Sequence, residues 1–439
     1  MRLPGSFSSF WWSWGMSEWV SNNLGDLVTF QKGRKVDTSP FPLPGYEAYL
    51  GAGALSGKYD GYGSTFLSVQ ANANDVLMLW DGERSGLAQR GLSGVVSSTV
   101  CKLSTSGAID CDLLYYILAY NFEWIQNRRT GTGIPHVPKD IGRILKITYP
   151  SKKSEQIKIS QILQTTDQAI EKTEALIEKC QQIKAGLMHD LFTRGIGPDG
   201  KLRPPREQAP ELYQETPIGW IPKEWKLQEV NEVVDSIVDG PFGSNLKTEH
   251  YVSDPGVRVV RLQNVTEYQY NDADRAYISD RHALSLARNV VVGEDVLIAG
   301  LGEERYPVGR ACTYPPDLPA AINKADCFRA RCIPQVLMNK FFMLFLNSTF
   351  ARQQVRRYEQ GVTRPRINTG NLKRLLVLVP FLKEQVEIVN KFDAVQFRLA
   401  SEELKLEKLK KQKSGLMHDL LTGKVPVTVD TDTAELAHV

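Results

Sequence analysis

The sequence lacks the features that mark metal, redox and membrane proteins. Its six cysteines, Cys101, Cys111, Cys180, Cys312, Cys327 and Cys332, include no Cys-x-x-Cys pair. Neither a zinc ribbon nor a thioredoxin-like site can be assembled from them. Few, unpatterned cysteines suit a reducing compartment. No apolar run approaches the roughly 18 residues that suggest a membrane span. The longest, Leu375–Leu382, is broken by Pro380. Net charge is small too, with 53 Lys+Arg against 50 Asp+Glu, or +3. That excludes a uniformly basic, histone-like chain and leaves room for a local basic patch. The expectation is a soluble cytoplasmic protein with no membrane association.

What is present is enough to fold. The chain has 439 residues, 42% hydrophobic and 23% charged, which suggests about three folding units at roughly 150 residues each and excludes global disorder. The first 15 residues, MRLPGSFSSFWWSWG, are rich in Trp and Ser. They have neither the apolar stretch nor the cleavage site of a signal peptide. Residues 1–18 are expected to be a disordered extension with Met16 as the natural start, which the intact mass of the native protein checks.

Internal repetition organises the rest. Gly-Leu-Met-His-Asp-Leu occurs at Gly186–Leu191 and again at Gly415–Leu420, 229 positions on. Glu155-Gln156 returns as Glu384-Gln385 at the same offset, and Pro150 as Pro380 at 230. Upstream the offset shrinks to 220 for Asp75-Val76-Leu77 and Asp295-Val296-Leu297, and to 206 for Trp19 and Trp225. The rear of each copy matches well and the front poorly. One scaffold is duplicated and carries two divergent heads.

Each rear part predicts a long helix. Ile159, Ile162, Thr166, Ala169, Thr173, Leu176, Cys180, Ile183 and Leu187 step by three and four, a heptad seam. Leu163, Ile170 and Ile177 widen it. Ile388, Phe392, Val395, Leu399, Glu402, Leu406, Leu409, Lys413, Leu416 and Leu420 repeat the rhythm, with polar breaks at 402 and 413. About 40 residues span about 60 Å. A proline precedes each helix and Gly195 or Gly423 follows. The stripes suit pairing of the two helices with each other, and their extra rows suit packing on another subunit.

The front parts alternate short β-rich runs, such as Val76–Trp80, Arg258–Leu262 and Leu375–Val379, with turn residues. Helical stretches fall near Cys111–Gln126 and Asn339–Glu359. The predicted class is α/β (α+β). Globular heads occupy 19–150 and 225–380, long helices 151–194 and 381–422, a Pro- and Gly-rich surface linker 195–224, and a tail 423–439.

Catalytic patterns fail one by one. Gly53–Lys58 is one residue short of a phosphate loop, and Tyr59 stands where Ser or Thr would hold magnesium. Gly51-x-Gly53-x-x-Ser56 lacks the third glycine of a dinucleotide loop. Tyr314-Pro-Pro-Asp317 reverses the order an amino-methyltransferase needs. Pro198-Asp199 with Glu224-Trp225-Lys226 loosely resembles a magnesium nuclease signature, but Trp225 has a twin in Trp19 and Asp199 falls in the linker. His189-Asp190 and His418-Asp419 are neighbours on a helix and point apart. No catalytic residue and no metal ligand is assigned.

Basic residues cluster in both copies. Arg352–Arg374 holds seven, Arg352, Arg356, Arg357, Arg364, Arg366, Lys373 and Arg374, against Glu359. The matching stretch, Glu123–Lys146, carries Arg128, Arg129, Lys139, Arg143 and Lys146 against Glu123 and Asp140. Each contains a glycine-led turn, Gly131–Pro135 and Gly361–Pro365. Arg and Lys on such loops neutralise phosphates, and Arg also reads guanine edges. Two such domains suit a bipartite duplex site.

At this point the chain resembles the DNA-specificity subunit of type I restriction–modification systems. The resemblance spans Trp19 to about Val425. It rests on Pro217-Ile-Gly-x-Ile-Pro-x-x-Trp225, Asp239-Gly-Pro-Phe-Gly-Ser244, Gly361–Pro380 followed by Glu384-Gln385, and the repeated Gly-Leu-Met-His-Asp-Leu. It implies two target-recognition domains, each reading half of a split sequence on double-stranded DNA. It implies antiparallel long helices that set the gap between half-sites and dock two methyltransferase subunits. Those partners would use S-adenosylmethionine, and motor-nuclease restriction subunits would use ATP and magnesium. This chain would hold no cofactor and do no chemistry.

Under that resemblance Arg128, Arg129, Lys139, Arg364, Arg366 and Lys373 are expected on DNA, mainly on phosphates. Lys32, Arg34, Lys58, Asn245 and Lys247 are weaker groove candidates. Leu163, Ile170, Ile177, Leu187 and Leu416 are expected in helix or methyltransferase contacts. The first head departs from the pattern, with Lys32-Gly33-Arg34-Lys35 in place of the Pro-Phe-Gly-Ser element. Two other readings stand beside this one: a self-sufficient DNA methyltransferase or nuclease, and a coiled-coil adaptor with no DNA role.

Overall fold

The computed structural model describes residues 18–429 apart from 59, 132, 254–255 and 303–305. The expected N-terminal extension lies outside the described residues except for Glu18. The chain forms two units. One holds the residues up to Ala175 together with those from Glu403 onward; the other holds Leu176–Glu402. The first long helix runs Lys153–Thr193 and the second Leu382–Leu421. Each unit therefore contains one head, the start of that head's own helix and the end of the other.

The heads share a topology despite their divergent sequences. In the first, an antiparallel sheet has the order Val28–Lys32, Val100–Thr105, Val76–Leu79, Ala88–Gln89. The second repeats it with Val234–Val238, Cys327–Cys332, Val296–Ala299 and Ala311–Thr313. A five-stranded sheet follows the same rule in both. In the first head its order is Thr38–Ser39, Tyr62–Ser64, Tyr46–Leu50, Gly94–Val96, Gln70–Ala71. In the second it is Tyr251–Val252, Tyr277–Ile278, Val257–Val260, Ala321–Asn323, Val290–Val291. Each contains one parallel pair, third strand against fourth. The runs Val76–Leu79 and Val296–Ala299 are buried on both faces, which explains their unbroken apolar sequence.

A short pair closes each head where it meets its helix, Trp19–Asn23 with Lys146–Pro150 and Lys226–Glu229 with Leu376–Val379. Just beyond it a buried glutamine makes the same bonds in both copies. Gln156 donates to the carbonyls of Pro150 (2.8 Å) and Ala108 (3.2 Å) and accepts from Asp110 N–H at 2.7 Å. Gln385 donates to Pro380 (2.9 Å) and Val336 (2.8 Å) and accepts from Met338 N–H at 2.8 Å. Both are fully enclosed, so each bond satisfies a group that would otherwise be buried unpaired. The Glu-Gln repeat is thus a joint that fixes the helix to its head.

The seams turn inward as their periodicity predicts. Ile159, Thr173, Cys180, Ile388, Phe392, Leu399 and Leu420 are buried. Within the first unit the two helix segments run antiparallel, since Lys410 pairs with Glu174 (2.7 Å) and Lys413 with Asp167 (2.6 Å). Asp167 also accepts from Tyr116 Oη at 2.8 Å, tying the head to both. Leu163 is fully enclosed against the first head, and Leu416 packs on the same core. Leu187 packs on the core of the second head. Leu163 is thus engaged within the chain, while Leu187, Leu416, Ile170 and Ile177 are half-buried. Phe397 and Leu404 are the most exposed large apolar side chains described on the two helices, at 78% and 69%, and Ile183 of the first seam is also exposed, at 49%.

Each helix ends on the entry tryptophan of the opposite copy. Gly195 (φ +63°) and Gly423 (φ +71°) adopt the left-handed conformation that ends a helix. A β-carbon at Gly423 would lie 2.8 Å from Trp19, and one at Gly195 2.5 Å from Trp225. In the second unit the junction is sealed by Glu384. It accepts from Ile196 N–H (2.7 Å), Trp225 Nε1 (3.0 Å) and Arg203 Nη2 (3.1 Å). Arg203 and Glu384 are each only 8% exposed.

The 195–224 stretch departs from the surface linker its composition predicts. Ile196, Arg203, Tyr213 and Ile221 are buried, and Tyr213–Thr216 pairs with Gly219–Pro222 as a hairpin. Its prolines and glycines shape turns around a buried charge instead of keeping the chain free. Glu384→Ala would leave Arg203 with only the largely exposed Glu224 as its acid partner, a loss of up to about 3–5 kcal/mol. A thermal unfolding scan should show a large drop in Tm, with Glu384→Gln intermediate; an unchanged Tm would remove the junction from the account.

Candidate nucleic-acid interface

The two glycine-led turns have one construction. In the first head, Thr130 and His136 exchange backbone bonds of 3.0 and 2.8 Å, closing the loop over 131–135. In the second, Gln360 and Arg366 do the same at 2.9 and 2.8 Å over 361–365. Gly131 (φ +102°) and Gly361 (φ +93°) open the loops in a conformation other residues rarely adopt. Each loop is then pinned to the head. Gly82 N–H donates to the Pro135 carbonyl and Gly302 N–H to that of Pro365, both at 2.8 Å. Val137 N–H donates to Trp80 and Ile367 N–H to Gly300, both at 2.9 Å. The loop tips face solvent, with Ile134 62% exposed and Val362 fully so.

In the first head the structure brings Lys32 and Lys139 together. Both line an open groove of about 500 Å³, with Arg143, Phe30 and Trp80 on its walls. Lys32 also pairs with Asp81 at 2.8 Å, and the other oxygen of Asp81 meets His136 Nδ1 at 2.7 Å. Arg128 is exposed and its guanidinium stacks on Trp124, 3.9 Å from the ring centre. Arg129 is turned toward the protein, donating to the carbonyls of Gln126 and Glu83. It braces the loop base more than it offers charge to a ligand. Arg34 and Lys58 are exposed on separate segments.

In the second head Arg364 is exposed on the loop and lines a pocket of about 370 Å³ with Gln263, Thr266, Asn271, Gly302 and Tyr306. Arg310 forms its floor. This buried guanidinium donates to the carbonyls of Leu262 (3.1 Å), Val265 (2.7 Å), Leu301 (3.2 Å) and Pro307 (3.2 Å), holding the surrounding loops in place. Arg366 pairs with Asp326 at 2.7 Å. Lys373 is half-buried on the short helix Thr369–Lys373. Asn245 and Lys247 sit on a different segment. The Asn245 carbonyl meets His282 Nε2 at 2.8 Å, and Lys247 N–H donates to His250 Nδ1 at 3.0 Å.

The Asp239 motif has a structural reason. A β-carbon at Gly240 would lie 1.9 Å from the Lys324 backbone, and one at Gly33 2.1 Å from the Ser97 carbonyl oxygen. Gly240 and Gly33 thus occupy one position, and Lys32 stands where the second head has Asp239. Asp239 accepts from Asp326 N–H at 3.0 Å. Burial pushes its carboxyl up to about 6, against the backbone N–H groups of Asp326 and Gly240.

Sequence reasoning missed His136, Asp81, Asp326 and Arg310. The 230 offset that relates Pro150 to Pro380 also relates His136 to Arg366, so that signal was present for one of them. The rejected motifs prove to be occupied. Glu224 pairs with Arg203 (2.8 Å), and Asp199 accepts from Lys201 N–H (3.1 Å) in a turn. Gly53–Lys58 curls around its own carboxylate, with Ala54 N–H donating to Asp60 at 2.9 Å. His418 Nδ1 meets Tyr120 Oη at 2.9 Å.

Comparison with known proteins agrees with this arrangement. The sequence profile described as the type I restriction modification DNA specificity domain matches residues 16–182 and 222–411. The type I restriction enzyme MjaVIII specificity subunit of Methanocaldococcus jannaschii is 27% identical over 426 residues, 93% of each chain. A crystal structure of a type I restriction–modification S subunit from M. genitalium superposes with a TM-score of 0.59 at 16% identity, covering 92% of this chain and 96% of that one. A chain from a structural study of type I system assembly and conformational transition gives 0.52 at 15% identity, covering 92% and 97%. The structural likenesses speak for the fold.

The raised Asp239 carboxyl makes a pH prediction. Its ordinary value is about 3.9, so its favourable contribution to folding is full below about 4 and is lost as pH rises through about 6. Asp239→Asn should therefore gain stability relative to wild type across that interval, read as the Tm difference at each pH. A difference independent of pH would contradict it.

Proposed function

The chain belongs to the type I restriction–modification DNA-specificity family, and from that premise we propose that each of its heads reads one half of a split DNA target. The observation that carries this reading is the duplicated loop. Two heads of one topology present Gly131–Pro135 and Gly361–Pro365 on identical backbone supports, each flanked by basic side chains. Phosphate contacts from such side chains position the duplex, and the head-specific residues beside them supply the sequence preference.

DNA, methyltransferase and restriction subunits are the partners of a specificity subunit. The finer assignments are part of the proposal. Two methyltransferase subunits dock on the helices, where Phe397 and Leu404 are exposed apolar anchors. S-adenosylmethionine, ATP and magnesium reside in those partners, and the assembly works in the cytoplasm. No helix among the described residues is long and apolar enough to cross a membrane. The enzymatic alternative loses its best pattern, because Asp199 and Glu224 are engaged in the junction and its turn. The adaptor alternative leaves the paired basic loops without a purpose.

The test is DNA affinity against salt, using the assembled complex and a duplex carrying its site. Arg364→Ala combined with Arg366→Ala should weaken binding about tenfold or more and reduce the salt slope by about 1, the share of one phosphate contact. Arg364→Ala alone separates the charge effect from the loss of the Asp326 pair. Unchanged affinity and an unchanged slope would refute the assignment of this loop.

A further inference from the structure

We propose that His136 is the base-reading counterpart of Arg366, so that the two half-sites are met at one structural position by different chemistry. This rests on the reading of the heads as DNA-recognition domains and adds a residue that determines specificity.

The equivalence is set by backbone geometry. His136 closes its loop against Thr130 as Arg366 does against Gln360, and each makes a second β-bridge, to Asp81 and to Leu301. The residues on either side agree as well, since Pro135 and Pro365 accept from Gly82 and Gly302, and Val137 and Ile367 donate to Trp80 and Gly300. The two side chains are exposed to a similar degree, 44% and 54%. Each is held by an acid at 2.7 Å, His136 by Asp81 and Arg366 by Asp326. The acids come from different strands: Asp81 follows Val76–Leu79, whereas Asp326 precedes Cys327–Cys332. The backbone position has thus been kept while side chain and acid were both replaced. A purely structural clamp gives no reason for that exchange; a reader of two different half-sites does.

The chemistry of the two positions differs in kind. A carboxylate facing Nδ1 makes that nitrogen the donor, which leaves Nε2 of His136 for a ligand. Lys32 on the far oxygen of Asp81 (2.8 Å) fixes the carboxylate and hence the ring. That single ring nitrogen, on a short planar side chain, is what a base edge would meet, as an acceptor from an imidazole or a donor from an imidazolium. Arg366 has only donors to offer, which suits the N7 and O6 acceptors of guanine.

The experiment uses the assembled complex and selection from a pool of duplexes randomised across the target. His136→Ala should lower affinity for the preferred duplex about tenfold and relax the preference at one or two base pairs of one half-site, leaving the other intact. Arg366→Ala should relax the other half-site only. His136→Arg keeps a donor to Asp81 and should shift the preferred base rather than abolish binding. It carries the test should alanine loosen the loop. A His136→Arg complex with wild-type preference, or a His136→Ala complex with wild-type discrimination, overturns the role of His136 alone. So does an affinity loss spread equally over all sequences. A wild-type complex with no split preference overturns the reading of the heads and this inference with it.

Discussion

A single buried carboxylate organises the second unit. Glu384 binds the end of the first long helix through Ile196, the following segment through Arg203, and the entry of the second head through Trp225. Removing two charges from water is costly, and the cost is offset only if every oxygen and every guanidinium proton finds a partner. The 196–203 segment, Trp225 and Glu384 must therefore arrive together. In the first unit, Gly423 against Trp19 marks the corresponding place. Neither head is complete without the terminal turns of the other copy's helix. The duplication is thus an exchange between copies, and the unbroken helices are what make it possible.

On that frame the heads can diverge. Their strand orders are the same and their core runs stay apolar, while residues at the loop bases vary. Lys32 stands in for Asp239 and His136 for Arg366, yet the backbone bonds around His136 and Arg366 agree to within about 0.1 Å. Loops positioned by a rigid scaffold are where recognition is expected to reside.

Much of this was legible in the sequence, and the reasons are specific. The heptad steps from Ile159 to Leu187 and from Ile388 to Leu420 announced the helices, because a seven-residue rhythm sustained over about 30 residues is hard to produce by chance. Glu-Gln and Gly-Leu-Met-His-Asp-Leu marked the copies, the first because its glutamine is a fully buried joint and the second because its leucines and methionine pack on the head cores. The common topology of the heads was hidden by strands of two to six residues and by insertions that move the offset from 206 to 230. The junction was hidden because Pro and Gly in 195–224 look like a linker, whereas here they turn the chain about Arg203. His136 was hidden because basic clusters stand out in a sequence by their Lys and Arg, and a lone histidine beside a turn does not. Arg129 shows the converse: residue type suggested a DNA contact, whereas its guanidinium donates to the carbonyls of Gln126 and Glu83.

The central claim is that one chain supplies both halves of a DNA preference. The most direct measurement is a genome-wide map of modified adenines in cells that contain the methyltransferase partner, with and without this chain. The account predicts that a single split motif, two short defined halves around an unspecified gap, is modified only when the chain is present. The same adenines modified without the chain, or a continuous motif with no gap, would contradict it.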